Sequence, residues 1–173
     1  MVMVVDRIHL LDEETRDQRV WRILSAVEDP EIPALSIVDL GIVRHVRWLA
    51  DDEPEIGLTP TYSGCPATEV IRESVRYALN RSGYPKVRLI EVLSPPWSSA
   101  WISEAGRAKL KEYGIAPPNC TAAATGIPVC PRCPAEDGES GDVELISEFG
   151  STPCKALYRC RTCLEPFDYF KPI

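Results

Sequence analysis

Two pairs of closely spaced cysteines near the carboxy-terminal end constrain the fold of this chain more than any other feature. They are C-x-x-C pairs separated by 26 residues, Cys130 with Cys133 and Cys160 with Cys163. This spacing lets two thiolates on a tight turn reach one tetrahedral metal ion at about 2.3 Å. The interval exceeds the roughly 15 to 20 residues usual in zinc ribbons, which predicts an extra loop over residues 135–142.

The fold of this four-cysteine module should depend on its metal. Residues 143–149 and 156–158 are rich in strand formers and predict a small β ribbon, but a segment with so few apolar residues is unstable alone. A closed site of four thiolates normally holds structural zinc and leaves no open position for chemistry. Iron or an Fe–S cluster on the same ligands is the alternative, because thiolates also suit these groups.

The preceding part of the chain has the pattern of a small α+β domain. Its apolar residues recur at helical spacing in three segments and follow strand-like patterns in three others. The predicted elements are a helix over 15–27, strands over 37–48 and 55–61, a helix from 63–66 to Gly83, a strand over 86–93 and a helix over 103–113. We therefore expect an α-β-β-α-β-α domain with a three-stranded sheet, followed by a zinc-ribbon-like β module.

The domain boundaries follow from composition. Residues 119–126 are rich in Thr, Ala and Gly, carry no apolar period, and separate two prolines from the first metal cysteine. We interpret them as a linker between a domain over residues 1–118 and the module over residues 127–173.

Charge and hydropathy exclude two common classes of partner. The chain has a net charge of -7, and residues 127–173 contain five Lys and Arg against eight Asp and Glu, so a phosphate backbone would be repelled. No apolar run approaches the roughly 18 residues of a membrane span, and the start lacks the pattern of a signal peptide. We expect a cytoplasmic protein that binds neither nucleic acid nor membranes, with reduced or metal-bound cysteines.

A second candidate site surrounds Cys65, at the predicted passage from a strand to a helix. Unpaired amides and the positive end of the helix dipole would stabilise a thiolate there, which makes it nucleophilic or able to bind a soft metal. Thr59, Thr61 and Ser63 place hydroxyl groups around the same turn. Asp39 could lie close by in the hairpin, or could be a surface charge or a turn cap.

Other residues have simpler interpretations. Neither His9 nor His45 is placed to act as a general base for Cys65, so a Cys–His catalytic pair is not expected. Trp97 and Trp101 could shield the site or bind a partner, although core packing is the commoner role. Cys154 lies outside both pairs, and we interpret it as a packed core thiol rather than a spare metal ligand.

These residues resemble the PaaD (PaaJ) family of accessory subunits of bacterial phenylacetyl-CoA epoxidase. The matching segments extend from about Val20 to the end of the chain. They are residues 29–33 (DPEIP), 39–41 (DLG), 59–68 (TPTYSGCPAT), 111–115 (KEYGI), 149–160 (FGSTPCKALYRC) and 165–171 (EPFDYFK). The first domain is also similar to the wider metal–sulfur cluster assembly family, which includes SufT and the eukaryotic cytosolic iron–sulfur targeting factors.

The resemblance implies a non-enzymatic maturation protein that acts on iron-containing parts of the epoxidase. Its expected client is the reductase subunit with its Fe–S centre or the di-iron oxygenase subunit. The family's reactive cysteine corresponds to Cys65 and its acidic loop position to Asp39, which would handle iron or a cluster transiently and orient that site. A non-catalytic scaffolding subunit is the alternative, and a homodimer is left open.

The chain departs from this family at its end. Similar members usually end Phe-Lys-Cys-Ile, whereas residues 170–173 read Phe-Lys-Pro-Ile. A cysteine that could accompany Cys154 is therefore missing, so the sequence does not support a second metal role for that thiol.

Overall fold

The computed structural model describes residues 14–62, 67–118, 127–133 and 142–173. Within them, three α-helices accompany two β-sheets. The helices are α1 (Arg16–Leu24), α2 (Ala67–Arg81) and α3 (Glu104–Glu112). The strands are β1 (Val43–Ala50), β2 (Glu53–Leu58), β3 (Arg88–Glu91), β4 (Ile115–Ala116), β5 (Val143–Ser147), β6 (Lys155–Cys160) and β7 (Pro166–Phe170).

The first sheet has three strands in the order β1-β2-β3. Strands β1 and β2 form an antiparallel hairpin, and β3 pairs in parallel with β2 after the chain crosses over through α2. A parallel connection needs such a crossover, because a tight turn can join only antiparallel strands. The predicted element order and the three-stranded sheet are confirmed.

The residues just before β1 form a loop, whereas the sequence predicted that the strand starts at residue 37. Strand β1 begins at Val43 instead of residue 37, since the preceding residues form a turn in which the Leu40 amide donates to the Ser36 carbonyl at 3.1 Å. Gly41 closes this turn with a φ of +68°, and a Cβ there would lie 2.8 Å from the Trp101 carbonyl oxygen. Only glycine combines this backbone angle with so close a contact.

Helices α1 and α2 supply the apolar stripes that the periodicity predicts. The capping box of Thr15 and Gln18 starts α1, whose buried residues are Val20, Ile23 and Leu24. Helix α2 buries four residues at helical spacing, which are Ala67, Ile71, Val75 and Leu79. These residues share one core with the apolar residues of the first sheet.

The second sheet contains the two predicted ribbon strands, β5 and β6, and two additional strands, β4 and β7. Its order is β4-β7-β6-β5, with β5, β6 and β7 antiparallel and the short β4 paired in parallel with β7. Strand β4 belongs to the segment predicted for the first domain, yet it hydrogen-bonds to the ribbon. The predicted linker at 119–126 and nearly all of the predicted loop at 135–142 lie outside the described residues, so the division at the linker stays a prediction.

The two sheets are joined by shared packing. Cys154 and Phe170, which precede β6 and end β7, belong to the buried core of the first sheet. The Phe170 ring lies 6.0 Å from the ring of Trp97, whose Nε1 donates to a backbone carbonyl of the loop before β1 at 2.8 Å. Trp97 is therefore a core residue, while Trp101 stacks beneath the Arg44 guanidinium at 3.5 Å.

The described helices include none with both the length and the apolar character that crossing a membrane requires.

Candidate metal centre and adjoining cavity

The two C-x-x-C pairs converge on one point at the end of the ribbon. Cys160 is the last residue of β6, and Cys163 follows in the turn to β7. All four sulfur atoms lie within 4.8 Å of one another, with Cys130 Sγ 3.8 Å from Cys163 Sγ and Cys133 Sγ 3.7 Å from Cys160 Sγ. A tetrahedron with metal–sulfur bonds of about 2.3 Å has edges of about 3.8 Å. The four thiols therefore fit one tetrahedral ion and form a metal site.

Backbone amides and neighbouring thiols give these cysteines very different proton affinities. Backbone hydrogen bonds from Cys163 and Thr162 lower the pKa of Cys160 to about 6. Hydrogen bonds with the Cys163 and Cys160 sulfurs raise the pKa of Cys133 to about 12. Four thiolates so close together repel one another, so a cation is needed before all four can ionise.

A small apolar cluster supports the metal site. Cys130 and Cys160 are buried together with Ala116, Phe167 and Tyr169. Ala116 comes from β4, so the segment before the predicted linker packs directly against the metal ligands. A strand that precedes the predicted linker thus supports the metal site on one side.

A second feature is a narrow cavity at the carboxyl ends of β2 and β3. Its walls come from the loop before β1, the ends of these two strands, the start of α2 and the ribbon. They are Asp29, Glu31, Ile32, Leu40, Ile42, Leu58, Thr59, Pro60, Thr61, Ala67, Thr68, Ile71, Arg72, Glu91, Cys154 and Phe170. Its volume is about 30 Å³, which suits water or a single ion but not an organic substrate.

The predicted hydroxyl groups lie at this cavity. Thr59 is almost fully buried and its amide donates to the Ile42 carbonyl at 2.9 Å, while Thr61 lines the wall nearer the surface. Cys65 and Ser63 lie outside the described residues. In the chain, however, Cys65 falls between Thr61 and Ala67, and both of these residues line the cavity.

Asp39 lies in the loop before β1 and does not line the cavity. Its Oδ2 accepts from the Ser36 amide at 3.1 Å, the Ser36 hydroxyl at 2.8 Å and the Lys109 ammonium at 2.7 Å, and its Oδ1 accepts from the Ser103 hydroxyl at 3.3 Å. Burial opposes ionisation, but the bonds from Lys109 and Ser36 lower the pKa of Asp39. Asp39 caps the loop and ties it to α3, and it is not among the residues that line the cavity with Thr59 and Thr61.

Several polar cavity residues, among them Asp29, Glu31 and Cys154, were not singled out as site residues by the sequence. Asp29 and Glu31 come from the 29–33 segment, which the pattern indicated only as a loop, and Cys154 was interpreted as a core thiol. Cys154 is indeed buried, with Sγ 3.0 Å from Thr152 Oγ1. The available signal was that these residues fall in two of the segments that carry the family resemblance.

Comparisons with known proteins agree with this arrangement. Residues 114–171 match the PaaD zinc beta ribbon domain, and residues 17–92 match the iron–sulfur cluster assembly protein family. The first match begins at the turn before β4, and the second contains Asp29, Thr59, Thr61 and the intervening strands.

The individual relatives fall into two groups. A protein of Escherichia coli (strain K12), provisionally named as the D component of 1,2-phenylacetyl-CoA epoxidase, is 48% identical over 89% of this chain and 92% of its own length. An Fe–S protein maturation auxiliary factor of Porphyromonas gingivalis is 32% identical over 54% of this chain and 90% of its own length. The auxiliary factor YitW of Bacillus subtilis is 33% identical over 57% of this chain and 96% of its own length.

The fold of the first sheet also has a counterpart among solved structures. A domain of unknown function, DUF59, from Bacillus anthracis superposes with a TM-score of 0.50 at 30% identity, over 54% of this chain and 90% of that one. The resemblance inferred from the sequence is thereby confirmed. The chain belongs to the PaaD family of 1,2-phenylacetyl-CoA epoxidase subunits, in which an iron–sulfur cluster assembly region precedes a PaaD zinc β ribbon.

Proposed function

We propose that this protein is a non-enzymatic maturation factor that handles iron, or an Fe–S cluster, for a phenylacetyl-CoA epoxidase. Its work would be done at Cys65, and its client would be the reductase subunit with its Fe–S centre or the di-iron oxygenase subunit. Both kinds of relative support this proposal, because one is named as an epoxidase subunit and the others as Fe–S maturation auxiliary factors.

The observation that carries the proposal is the cavity at the carboxyl ends of β2 and β3. Most of its lining residues belong to the region that matches the cluster assembly family. Thr61 and Ala67, which precede and follow Cys65 in the chain, both line it. A volume of about 30 Å³ is far below the roughly 300 to 1,000 Å³ of pockets for organic ligands. The site therefore suits a metal ion much better than phenylacetyl-CoA.

The remaining predicted residues would have supporting roles. Thr59 and Thr61 would position the segment that carries Cys65. Asp39 would hold the loop before β1 through its bonds to that loop and to α3. In the ribbon, the four thiols would hold one structural zinc ion. Four protein ligands complete its tetrahedral coordination and leave no position for a substrate.

The test is the iron content of the client in cells. The epoxidase oxygenase and reductase subunits would be expressed in a strain lacking this protein, complemented with wild type, Cys65→Ala or Cys120→Ala. We expect under-metallated client subunits with Cys65→Ala, because the thiol that accepts the iron is gone. Cys120→Ala removes a thiol from the predicted linker and is the matched control.

Two measurements would be made on the purified client: iron per subunit and absorbance of the Fe–S centre. Normal values with Cys65→Ala, when the variant is folded and as abundant as wild type, would refute maturation. If the variant then still co-purified with the epoxidase subunits, the scaffolding alternative would be favoured.

A further inference from the structure

The turn between β6 and β7 contains a strained leucine. Leu164 directly follows Cys163 and has a φ of +64°, and among the described parts of the chain it is the one non-glycine residue with a positive φ. In this left-handed conformation the Cβ atom lies too close to the following carbonyl oxygen, which costs free energy for residues other than glycine. A bulky side chain at such an angle is an outlier, and strained residues of this kind cluster at functional sites.

The fold of the turn holds the backbone at this angle. The Cys160 amide donates to the Glu165 carbonyl at 3.0 Å, and Arg159 pairs with Pro166 where β7 begins. These contacts close the loop and return the chain antiparallel to β6. Short hairpin loops usually place glycine at a left-handed position, so glycine would fit residue 164 better than leucine does.

The leucine side chain gives the fold nothing in return for this strain. It is 70% exposed and belongs to neither of the two apolar clusters formed by the described residues. Single exposed leucines are common on protein surfaces and need no explanation by themselves. An exposed leucine that also strains the backbone does need one, and folding does not supply it.

The charges beside Leu164 indicate the character of a complementary surface. Glu165 is exposed and forms no ion pair with the described residues. Arg161, in contrast, is paired with Asp142 at 3.5 Å and with Glu144 at 3.2 Å. The tip of the loop therefore presents one apolar side chain next to one unpaired carboxylate. An apolar pocket with Lys or Arg at its rim would complement both.

We propose that Leu164 anchors the ribbon in a leucine-sized apolar pocket, rimmed by Lys or Arg, on the epoxidase subunit that this protein serves. The inference rests on the proposed function and adds to it the surface that contacts the client. Burial of the leucine on docking would offset the strain that the free protein carries. A second copy of the chain is a poorer occupant, because each copy has a net charge of -7 and carries the same unpaired carboxylate.

The test measures binding and stability on the same full-length, zinc-loaded proteins. Titration calorimetry with the purified oxygenase and reductase subunits gives the dissociation constants at low and high salt, and urea unfolding gives the unfolding constants. The variants are Leu164→Ala, Leu164→Gly, Leu164→Met and Glu165→Gln. Leu93→Ala and Leu93→Gly are the matched controls, since Leu93 is 64% exposed and does not have a positive φ.

We expect the wild type to bind one of the two subunits. Leu164→Ala and Leu164→Gly should each weaken that binding by about tenfold or more, the effect of losing one buried leucine. Leu164→Met should keep most of the affinity, because the two side chains have similar volumes. Glu165→Gln should weaken binding at low salt more than at high salt. Both Leu93 variants should bind as the wild type does.

The unfolding constants test the strain separately. The unfolding constant of Leu164→Gly should be about fivefold lower than that of Leu164→Ala, because only glycine adopts the left-handed conformation without cost. At Leu93 the order should be reversed, since glycine there only adds entropy to the unfolded chain. Loss of binding in Leu164→Gly therefore cannot be due to misfolding if this variant is the more stable of the two.

The outcomes separate this inference from the proposed function. Wild-type affinity in Leu164→Ala, or no binding of either subunit by the wild type, would overturn the docking role. The client's iron content with Cys65→Ala would still decide the proposed function. Equal unfolding constants for Leu164→Ala and Leu164→Gly would remove the strain on which the inference depends and overturn it too. A dimer of this protein that dissociates in Leu164→Ala would show that the leucine joins two copies instead, and an unchanged affinity in Glu165→Gln would reject the basic rim.

Discussion

The Asp39 carboxylate fastens the loop before β1 to the start of α3. It accepts hydrogen bonds from Ser36, Ser103 and Lys109, and its backbone carbonyl accepts from the Ser103 amide at 2.9 Å. Ser103 is also the N-cap of α3, where its hydroxyl oxygen accepts from the Gly106 amide. One side chain therefore fixes the relative positions of a loop and a helix.

Replacing Asp39 with Asn should lower the free energy of unfolding by about 1–3 kcal/mol near neutral pH, because the charge-assisted bond from Lys109 is lost. Despite the opposing effect of burial, the bonds from Lys109 and Ser36 lower the pKa of Asp39. A carboxylate whose folded pKa is depressed contributes stability above its unfolded pKa and loses it as pH falls through the folded one. The deficit of the variant should therefore shrink below about pH 4.

Urea unfolding at a series of pH values measures this difference. Asp51→Asn is the control, since Asp51 is fully exposed and its ion pair with Arg16 is long at 3.5 Å. An Asp39→Asn deficit that stays constant from neutral pH to acid would contradict the electrostatic explanation.

The sequence predicted the functional roles of only some of these residues. The cysteine spacing predicted the ribbon ligands, because two C-x-x-C pairs have few interpretations other than a metal site. Asp29 and Glu31 lie near the start of the chain and Cys154 near its end, and no local pattern shows that they share a cavity. Their meeting depends on tertiary packing.

Within the first sheet, the pairing of β1 with β2 depends on a glycine opposite a histidine. Gly57 is the register partner of His45, and a Cβ on Gly57 would collide with the His45 imidazole carbon Cε1. The imidazole therefore occupies the space that a side chain at residue 57 would need. On this face, His45 Nε2 also lies 3.6 Å from Glu55 Oε1.

Replacing Gly57 with Ala should destabilise the protein by about 1–3 kcal/mol, because the imidazole must leave its position. In a His45→Ala background the same change should cost much less, since the colliding ring is gone. Thermal or urea unfolding of the four proteins gives the coupling between the two sites. Equal costs of Gly57→Ala in both backgrounds would show that the contact is not the cause.

The ribbon strands should depend on their metal ion. Cys160→Ser is expected to reduce the metal content from one ion per chain to none and to remove amide protection from β5, β6 and β7, since metal binding is the main source of stability in such modules. Metal analysis and hydrogen exchange measure the two effects. Cys154→Ser is the matched control and should keep the ribbon ion, whereas a full complement of metal in Cys160→Ser would contradict the four-thiolate site.

Element order was more predictable than element ends. Apolar periodicity identified the three helices, the strands of the first sheet and two strands of the second, because burial of one face imposes that period. It placed the start of β1 six residues too early, since apolar residues 37–42 are buried in a turn that Gly41 closes. It also missed β7 and β4. The two residues of β4 carry no period, and their pairing with β7 is a tertiary contact.

On the scale of the whole molecule, Phe170 connects the ribbon to the first sheet. Its side chain is almost fully buried and packs beside Trp97 in the core that also contains α1 and α2. Phe170→Ala should lower the free energy of unfolding by about 3–5 kcal/mol, through lost burial and the cavity left behind.

Hydrogen exchange of this variant would show which strands lose stability. We expect amides of both sheets to lose protection, because the aromatic ring belongs to the core of one sheet and to a strand of the other. Phe149→Ala is the control and should be nearly neutral, since that side chain is 63% exposed. Loss of protection confined to β6 and β7 would show that the two sheets unfold independently.

Strand β6 begins next to Cys154 at the cavity and ends at Cys160 in the metal centre, while β7 follows Cys163 and ends at Phe170. The same two strands thus connect the cavity with the metal centre over about 20 Å, the length of six extended residues. If the proposed function holds, loss of the ribbon's metal would deform one wall of the cavity through the backbone of these two strands. The supply of zinc would then limit the delivery of iron, and cells starved of zinc should make epoxidase that is poor in iron.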